Sequence, residues 1–472
     1  MTIDAKLIEQ FIAITGRAHA LTPPEDLARY TQENRGILHG VTPLVLKPNS
    51  TMQVSQIVKL AAETRTALVP QGGHTGHAAG GSPDASGNQV VVCLERMNRV
   101  REVDVEGKTL TVEAGVLLQN VQQVAAAHDL LFPLSLASQG SCQIGGNIAT
   151  NAGGTAVLSY GNTRDLVLGL EVVLPSGEIW SGLRRLKKDN SGYSLRNLFI
   201  GSEGTLGIIT AAVLKLFPMP RGREVAFVGL NSPQAALSLL NIALSQAGPA
   251  LTSFELMPAI GLEFALKHGS GLQDPLAKRH PWNVLLEISS GRSQADATEL
   301  AEGILTEAYE AGIVAEDAVL AGSIARQNQL WSIREQMPGA QKPEGGSIKH
   351  DISVPVHLVP QFLQRAEVII REVLPDSRIC AFGHLGDGNL HYNISQPVGA
   401  DTEAFLSRRE EINALIHALV LEMDGSISAE HGIGQLKRQI LAQTKSPAEL
   451  GMMRTLKLAL DPLAIMNPGK LI

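Results

Sequence analysis

The chain has 472 residues, too long for one ordinary hydrophobic core and suited to two or three domains. Hydrophobic residues make up 44% and charged residues 18%, which excludes a disordered or fibrous chain. A formal net charge of −7 excludes a broad nucleic-acid surface, so an anionic ligand needs a local basic pocket. Cys93, Cys142 and Cys380 are few and widely spaced. They offer no disulfide framework and no CxxC metal knuckle, and read as reduced, buried thiols. The opening MTIDAKLIEQFIAI has neither the basic-then-apolar pattern of a signal peptide nor the Arg-rich pattern of a transit peptide. No apolar run is long enough to span a bilayer. A soluble, cytoplasmic protein is expected.

In chain order, residues 51–65 predict a helix, with Val54, Ile57, Val58 and Ala61 on one face. A short strand at 67–69 runs into Pro70 and a glycine-rich loop. Residues 89–94 (QVVVCL) read as a buried strand. Residues 100–114 read as a hairpin about Glu106-Gly107-Lys108, and 117–128 return to helical spacing. From 136 to 161 Gly, Ser, Asn and Thr dominate, and a long non-periodic loop is expected, of the kind that serves function. Strands follow at 166–174, 178–181 and 208–217, and Pro218-Met219-Pro220-Arg221-Gly222 marks a domain boundary. The middle of the chain alternates helices with short strands, among them 282–289, 379–382 and 389–394. This predicts an α+β domain with helices over an antiparallel sheet. The expected division is 1–220, 221–425 and 426–472, the last a helical segment returning to the first domain.

Three glycine-rich loops stand in the first 210 residues. Pro70-Gln71-Gly72-Gly73-His74-Thr75-Gly76, continuing to Gly80-Gly81, exposes backbone N–H groups able to wrap a pyrophosphate. It is neither a Rossmann nor a Walker loop. Ser138–Gly154 (SQGSCQIGGNIATNAGG) leaves room for a flat ring. Gly201-Ser202-Glu203-Gly204-Thr205-Leu206-Gly207 with Ile208 is the third. Later, Phe382–Asn393 (FGHLGDGNLHYN) places Asn389, His391 and Asn393 on one strand face, and a glycine-rich turn can fold His384 back beside His391. Two converging imidazoles hint at a metal, although many such pairs are hydrogen-bonded cleft residents. Glu430-His431 lies between small residues and can supply a third donor. Two nitrogens and one oxygen would leave positions open for substrate. Arg334 reads equally as a surface ion-pair partner or as a carboxylate clamp.

Together PQGGHTG, IGGNIATNAGG, YGNTRDLVLGLEVVLPSGEI and GSEGTLGIIT, in that order, resemble the PCMH-type flavoprotein family typified by vanillyl-alcohol oxidase, in its D-2-hydroxyglutarate and D-lactate dehydrogenase branch. The resemblance runs from about residue 20 to the end. It implies an α+β fold of two FAD-binding subdomains with a capping domain. It implies FAD contacts at Pro70, Gly72, Gly73, His74, Thr75, Gly76, Ser138, Gly140, Gly145, Gly146, Asn147, Thr150, Asn151, Gly153, Gly161, Glu203, Gly204, Ile208 and Asn467. Some relatives join flavin covalently to a histidine placed like His74; this branch usually holds FAD noncovalently. The resemblance further implies that Arg334, Lys349 and Asn393 bind substrate, that His384, His391 and Glu430 hold a divalent metal, usually zinc, and that His431 is the base. Where the branch has a threonine shortly after the arginine, this chain has Pro338, which puts the choice of substrate in question. The expected reaction is oxidation of a D-2-hydroxy acid, best D-2-hydroxyglutarate, by hydride transfer to flavin. D-lactate or glycolate oxidation is the alternative within the family, and a metal hydrolase the alternative outside it. Expected partners are a small 2-hydroxy acid and an electron acceptor (an electron-transfer flavoprotein, quinone or cytochrome), with no nucleic acid. A homodimer is expected from the general frequency of such assemblies.

Overall fold

The computed structural model describes residues 3–33, 35–314 and 317–472. The chain forms two compact units. The first comprises Met1–Gly154, Gly161–Pro218 and Glu430–Ile472; the second comprises Thr155–Tyr160 and Met219–Ala429. The chain crosses between them after Pro218 and after Ala429, two residues before and four residues beyond the expected points.

The first unit holds two main sheets. One runs Ala20–Leu21, Val45–Leu46, Gln89–Cys93, Ala67–Gln71, with Val45–Leu46 and Ala67–Gln71 both parallel to Gln89–Cys93 between them. The helix Thr51–Thr64 is the crossover that joins these two flanking strands. Its Ser50 cap accepts from the Gln53 amide, and the predicted face of Val54, Ile57, Val58 and Ala61 is wholly buried. The other sheet is antiparallel: Val100–Asp104, Thr109–Glu113, Ile208–Lys215, Val167–Val173, Ile179–Gly182. The stretch expected to be one long loop at 136–161 differs. It carries the helices Ile144–Ala149 and Val157–Tyr160. The amides of Ile144 and Gly145 donate to the Val116 and Ala114 carbonyls, so tertiary anchoring offsets the poor helix propensity of the glycine pair.

The second unit is built on a seven-stranded antiparallel sheet: Ala318–Leu320, Gly222–Leu230, Trp282–Ser290, Leu251–Pro258, Arg378–His384, Asn389–Ser395, Ser347–Ser353. Alternation gives it two unlike faces. One carries Phe254, Leu256, Ala381, Leu390, Tyr392, Ile348 and Ile352 into a core with the helices Pro233–Ala247, Gln294–Glu310, Val359–Val373 and Arg409–Glu422. The other buries Met257, Cys380 and Phe382 against the helices Ala259–His268 and Ile324–Ala340. Among the described residues no helix is long and apolar enough to cross a membrane. Cys93, Cys142 and Cys380 are buried free thiols, and burial pushes Cys380 up to about 12 against the pull of Lys349 and Arg334.

An ion cluster in this unit makes a pH test available. Glu344 accepts from Lys267 at 2.7 Å, from His268 at 2.5 Å and from Arg378. These bonds, Lys267's first, hold its carboxyl down at about 2, below the ordinary 4.5. A depressed carboxyl stabilises the fold fully above its unfolded-state value and ceases to do so as pH falls through the folded one. Glu344→Gln should therefore lower the unfolding midpoint at neutral pH, and its gap to wild type should close between pH 4.5 and about 2. A gap of constant size across that window would show that the ion cluster does not contribute.

Candidate active site

In the first unit the glycine-rich loops meet. Pro70, Gly72, Gly73, His74, Thr75, Gly76, Gly145, Gly146, Asn147, Thr150, Glu203, Gly204 and Ile208 line one cleft together with His431. The space between these loops is about 1040 Å³ with the open solvent at its mouth included. A Cβ on Gly146 would meet nothing within 4 Å, so this glycine fronts open space. Gln143 also lines the wall, and its buried Oε1 has no donor among the described residues. An open glycine floor beside an unsatisfied buried acceptor fits a flat ligand with N–H or O–H groups, as FAD is. Sequence reading passed over Gln143, although it directly precedes the Ile144-Gly145-Gly146 run it did single out.

Other expected cofactor contacts lie off the cleft wall: Ser138, Gly140, Asn151, Gly153, Gly161 and Asn467. Ser138 is in a turn, its carbonyl accepting from the Ser141 and Cys142 amides. A side chain on Gly140 would meet Gln119, and one on Gly161 would strike the Asp165 carboxylate. Asn151 accepts from the Arg164 amide at 2.9 Å. Gly153 leaves room for Glu430, whose Oε1 accepts from the Gly154 amide at 2.7 Å. Asn467 donates to the Gly80 and Glu203 carbonyls at 2.9 and 2.7 Å, tying the C-terminal segment to the cleft loops.

Two residues on the cleft wall are engaged with protein. His74 places Nε2 2.9 Å from Ser82 Oγ and Nδ1 3.2 Å from the Arg29 carbonyl. Burial lowers its pKa, opposed by the bond to Arg29. Glu203 accepts from the Ile433 and Gly434 amides at 2.8 and 2.7 Å, and burial raises its carboxyl above the ordinary value despite them. Its carboxylate thus fixes the turn that follows His431. Gly434 is required in that turn, since φ is +51° and a Cβ would sit 1.9 Å from the Ala78 carbonyl oxygen. His431 itself packs edge-on against His77, with ring centroids 4.8 Å apart.

In the second unit the sheet face opposite the large core gathers the other candidates. Strand register pairs Glu255 with His384, Phe382 with His391, Asp351 with His391, and Lys349 with Asn393. The turn Leu385–Asp387, closed by Gly388 at φ +78°, returns the chain from His384 to Asn389. His384 and His391 come to 5.7 Å between ring centroids. Each has a carboxylate at Nδ1: Glu255 Oε1 at 2.5 Å from His384, and Asp351 Oδ1 at 3.9 Å from His391. Asp351 also accepts from Asn389 Nδ2 at 3.0 Å.

Arg334 reaches this face from the helix Ile324–Ala340 and is 6% exposed, which removes the surface-pair reading. Its Nε donates to Glu255 Oε2 at 2.7 Å, and its guanidinium carbon stands 4.7 Å from the Phe382 ring centroid. Burial pushes the Glu255 carboxyl up. His384 and Arg334, which both donate to it, overcome this and hold it at about 2. Asn393 donates to Gln341 Oε1 at 3.1 Å, and Lys349 beside it is exposed. One face therefore presents two cations and two imidazoles whose Nδ1 atoms are turned toward carboxylates. Such a surface can bind a carboxylate through its cations.

Residues 42–182 match the family described as FAD binding domain, and residues 219–471 the family of FAD linked oxidases, C-terminal domain. The chain is 38% identical over 453 residues to the D-2-hydroxyglutarate dehydrogenase of Xanthomonas citri pv. viticola, covering 95% of this chain and 93% of that one. It is 35% identical over 480 residues to the D-2-hydroxyglutarate–pyruvate transhydrogenase of Saccharomyces cerevisiae, covering 100% and 95%. It is also 35% identical to the D-2-hydroxyglutarate dehydrogenase of Stutzerimonas stutzeri, covering 99% of both. Among solved structures, p-cresol methylhydroxylase matches with a TM-score of 0.79 at 16% identity, over 99% of this chain and 96% of that one. Alkyldihydroxyacetonephosphate synthase matches with 0.77 at 18%, over 98% and 84%. The α+β fold is thus that of the PCMH-type flavoproteins. The chain belongs to the family of FAD-linked oxidases and is an FAD-dependent hydroxy-acid dehydrogenase.

Proposed function

We propose that the substrate is D-2-hydroxyglutarate, oxidised to the 2-oxo acid. The observation that carries this is the buried Arg334, anchored by Glu255 on the same sheet face as Lys349, a guanidinium placed to meet a carboxylate. Full-length similarity to relatives named for D-2-hydroxyglutarate supports it.

Arg334 and Lys349 bind the C1 carboxylate. Asn393, braced by Gln341, orients the C2 substituents. His431 takes the proton from the 2-hydroxyl as general base, held in place by the Glu203-fixed turn behind it. FAD, in the cleft lined by Gly72, Gly73, Gly146 and Asn147, supplies the hydride acceptor for the C2 hydrogen. His74, with both ring nitrogens engaged, favours noncovalent binding. In this proposal His384, His391 and Glu430 are the donors for a divalent ion, zinc by preference, supplying Lewis acidity at the hydroxyl oxygen. The Glu255 carboxylate at His384 Nδ1 supports it, because metal-bound histidines ordinarily donate their other N–H to such a group.

Electrons leave to an electron-transfer flavoprotein, a quinone or a cytochrome, and the protein acts as a homodimer; both belong to the proposal. The three reduced thiols support a cytoplasmic or other reducing compartment. Pro338 favours a second reading. It lies in the helix one turn after Arg334 and carries no side-chain hydroxyl, so it offers a second carboxylate no donor where the branch has a threonine. A monocarboxylate such as D-lactate would not miss that donor.

Anaerobic mixing separates the readings. D-2-hydroxyglutarate should bleach the visible flavin band, and L-2-hydroxyglutarate should not. Faster bleaching by D-lactate would move the assignment to the monocarboxylate. No bleaching by any 2-hydroxy acid, in protein holding FAD, would sink the proposed clamp.

A further inference from the structure

Glu255 is wholly buried between Phe254 and Leu256, yet it is satisfied from two directions at once. Oε1 faces His384 Nδ1 at 2.5 Å and Oε2 faces Arg334 Nε at 2.7 Å. A carboxylate only accepts, so both bonds have a fixed polarity. The His384 proton stays on Nδ1, so Nε2 carries the lone pair and is the ring's basic nitrogen. Arg334 gives Glu255 one of its five N–H bonds, and stacking on Phe382 holds the guanidinium plane. The terminal nitrogens remain as a pair matched to a carboxylate.

We propose that Glu255 is a positioning residue shared by both halves of the second unit's site: one side chain sets His384 for metal ligation and Arg334 for the substrate carboxylate. This rests on the roles proposed above for His384 and Arg334.

The isosteric change Glu255→Gln discriminates well. An amide has one acceptor oxygen and one donor group, so it cannot serve both partners. If its NH2 faces His384, the imidazole must take the other tautomer and Nε2 becomes protonated. If its NH2 faces Arg334, the guanidinium loses its anchor. Either way one function suffers, and exchange between the two arrangements spreads the loss over both.

The test uses the holoenzyme and three readouts: zinc affinity by competition with a chromophoric chelator, KM for D-2-hydroxyglutarate, and flavin content as a report on the first unit. Glu255→Gln should weaken zinc binding by about 10–100-fold, the range for such outer-shell partners. It should raise KM and leave flavin content unchanged. Glu255→Asp, which keeps the charge on a shorter stem, should recover part of both losses, and it carries the test if the Gln variant does not fold. A lower unfolding midpoint with zinc affinity and KM unchanged in the folded protein would reduce Glu255 to a structural residue and overturn the proposal. Wild-type enzyme that binds no divalent ion would overturn the metal reading itself and the His384 half of this one. Unchanged affinity in a variant of a zinc-binding wild type would overturn this proposal alone.

Discussion

Anaerobic flavin reduction in His431→Asn should fall by about 10²–10⁴-fold, the span a general base contributes, while FAD stays bound. The argument is local. His431 lies on the cleft wall, but the atoms that fit the cleft to FAD are elsewhere, in the open Gly146 floor and the unsatisfied Gln143 Oε1. The turn that carries His431 is held by backbone amides donating to Glu203, which a side-chain change at 431 leaves untouched. Asn matches the imidazole's reach and packs against His77 without a basic nitrogen. Stopped-flow reduction at saturating substrate, with flavin content measured in parallel, gives the answer. Reduction near the wild-type rate would remove His431 from the base role; loss of flavin would recast it as a cleft residue.

Much of this site was legible because period-2 alternation is local. Asn389, His391 and Asn393 share a face as the pattern requires, and the return through Gly388 brings His384 beside His391. The helix at Thr51–Thr64 was legible for the same reason at period 3.6. What escaped depends on partners remote in sequence. Glu203 reads as one more polar residue of a glycine loop, and its carboxylate closes on amides 230 and 231 residues away. Glu255 sits in LTSFELMP, where the available signal was an acid inside an apolar run, a group that burial makes costly unless paired. Its partners are 79 and 129 residues distant. The helix Ile144–Ala149 escaped because its glycines argue against it locally, and only the carbonyls of Ala114 and Val116 hold its first turn in place.

Stripping divalent ions with a strong chelator, followed by desalting, should abolish substrate-driven flavin reduction and leave FAD bound; zinc should restore the rate. A Lewis acid at the hydroxyl oxygen contributes several kcal/mol, and each 1.36 kcal/mol is about tenfold in rate, so a loss of the order of 10³-fold is expected. The second unit is prepared for such an ion in one specific respect. His384 donates Nδ1–H to Glu255 at 2.5 Å, and His391 stands with Nδ1 3.9 Å from Asp351, beyond hydrogen-bond reach. The two rings stand 5.7 Å apart between centroids. His391→Gln should mimic the stripped enzyme and resist rescue by zinc, because one of the two imidazoles is gone. If chelation and His391→Gln both leave the reduction rate intact, the imidazoles act on the substrate directly as hydrogen-bonding groups. The Glu255 carboxylate behind His384 would then serve to hold that ring in orientation, and Arg334 and Lys349 would carry substrate binding without help from a metal.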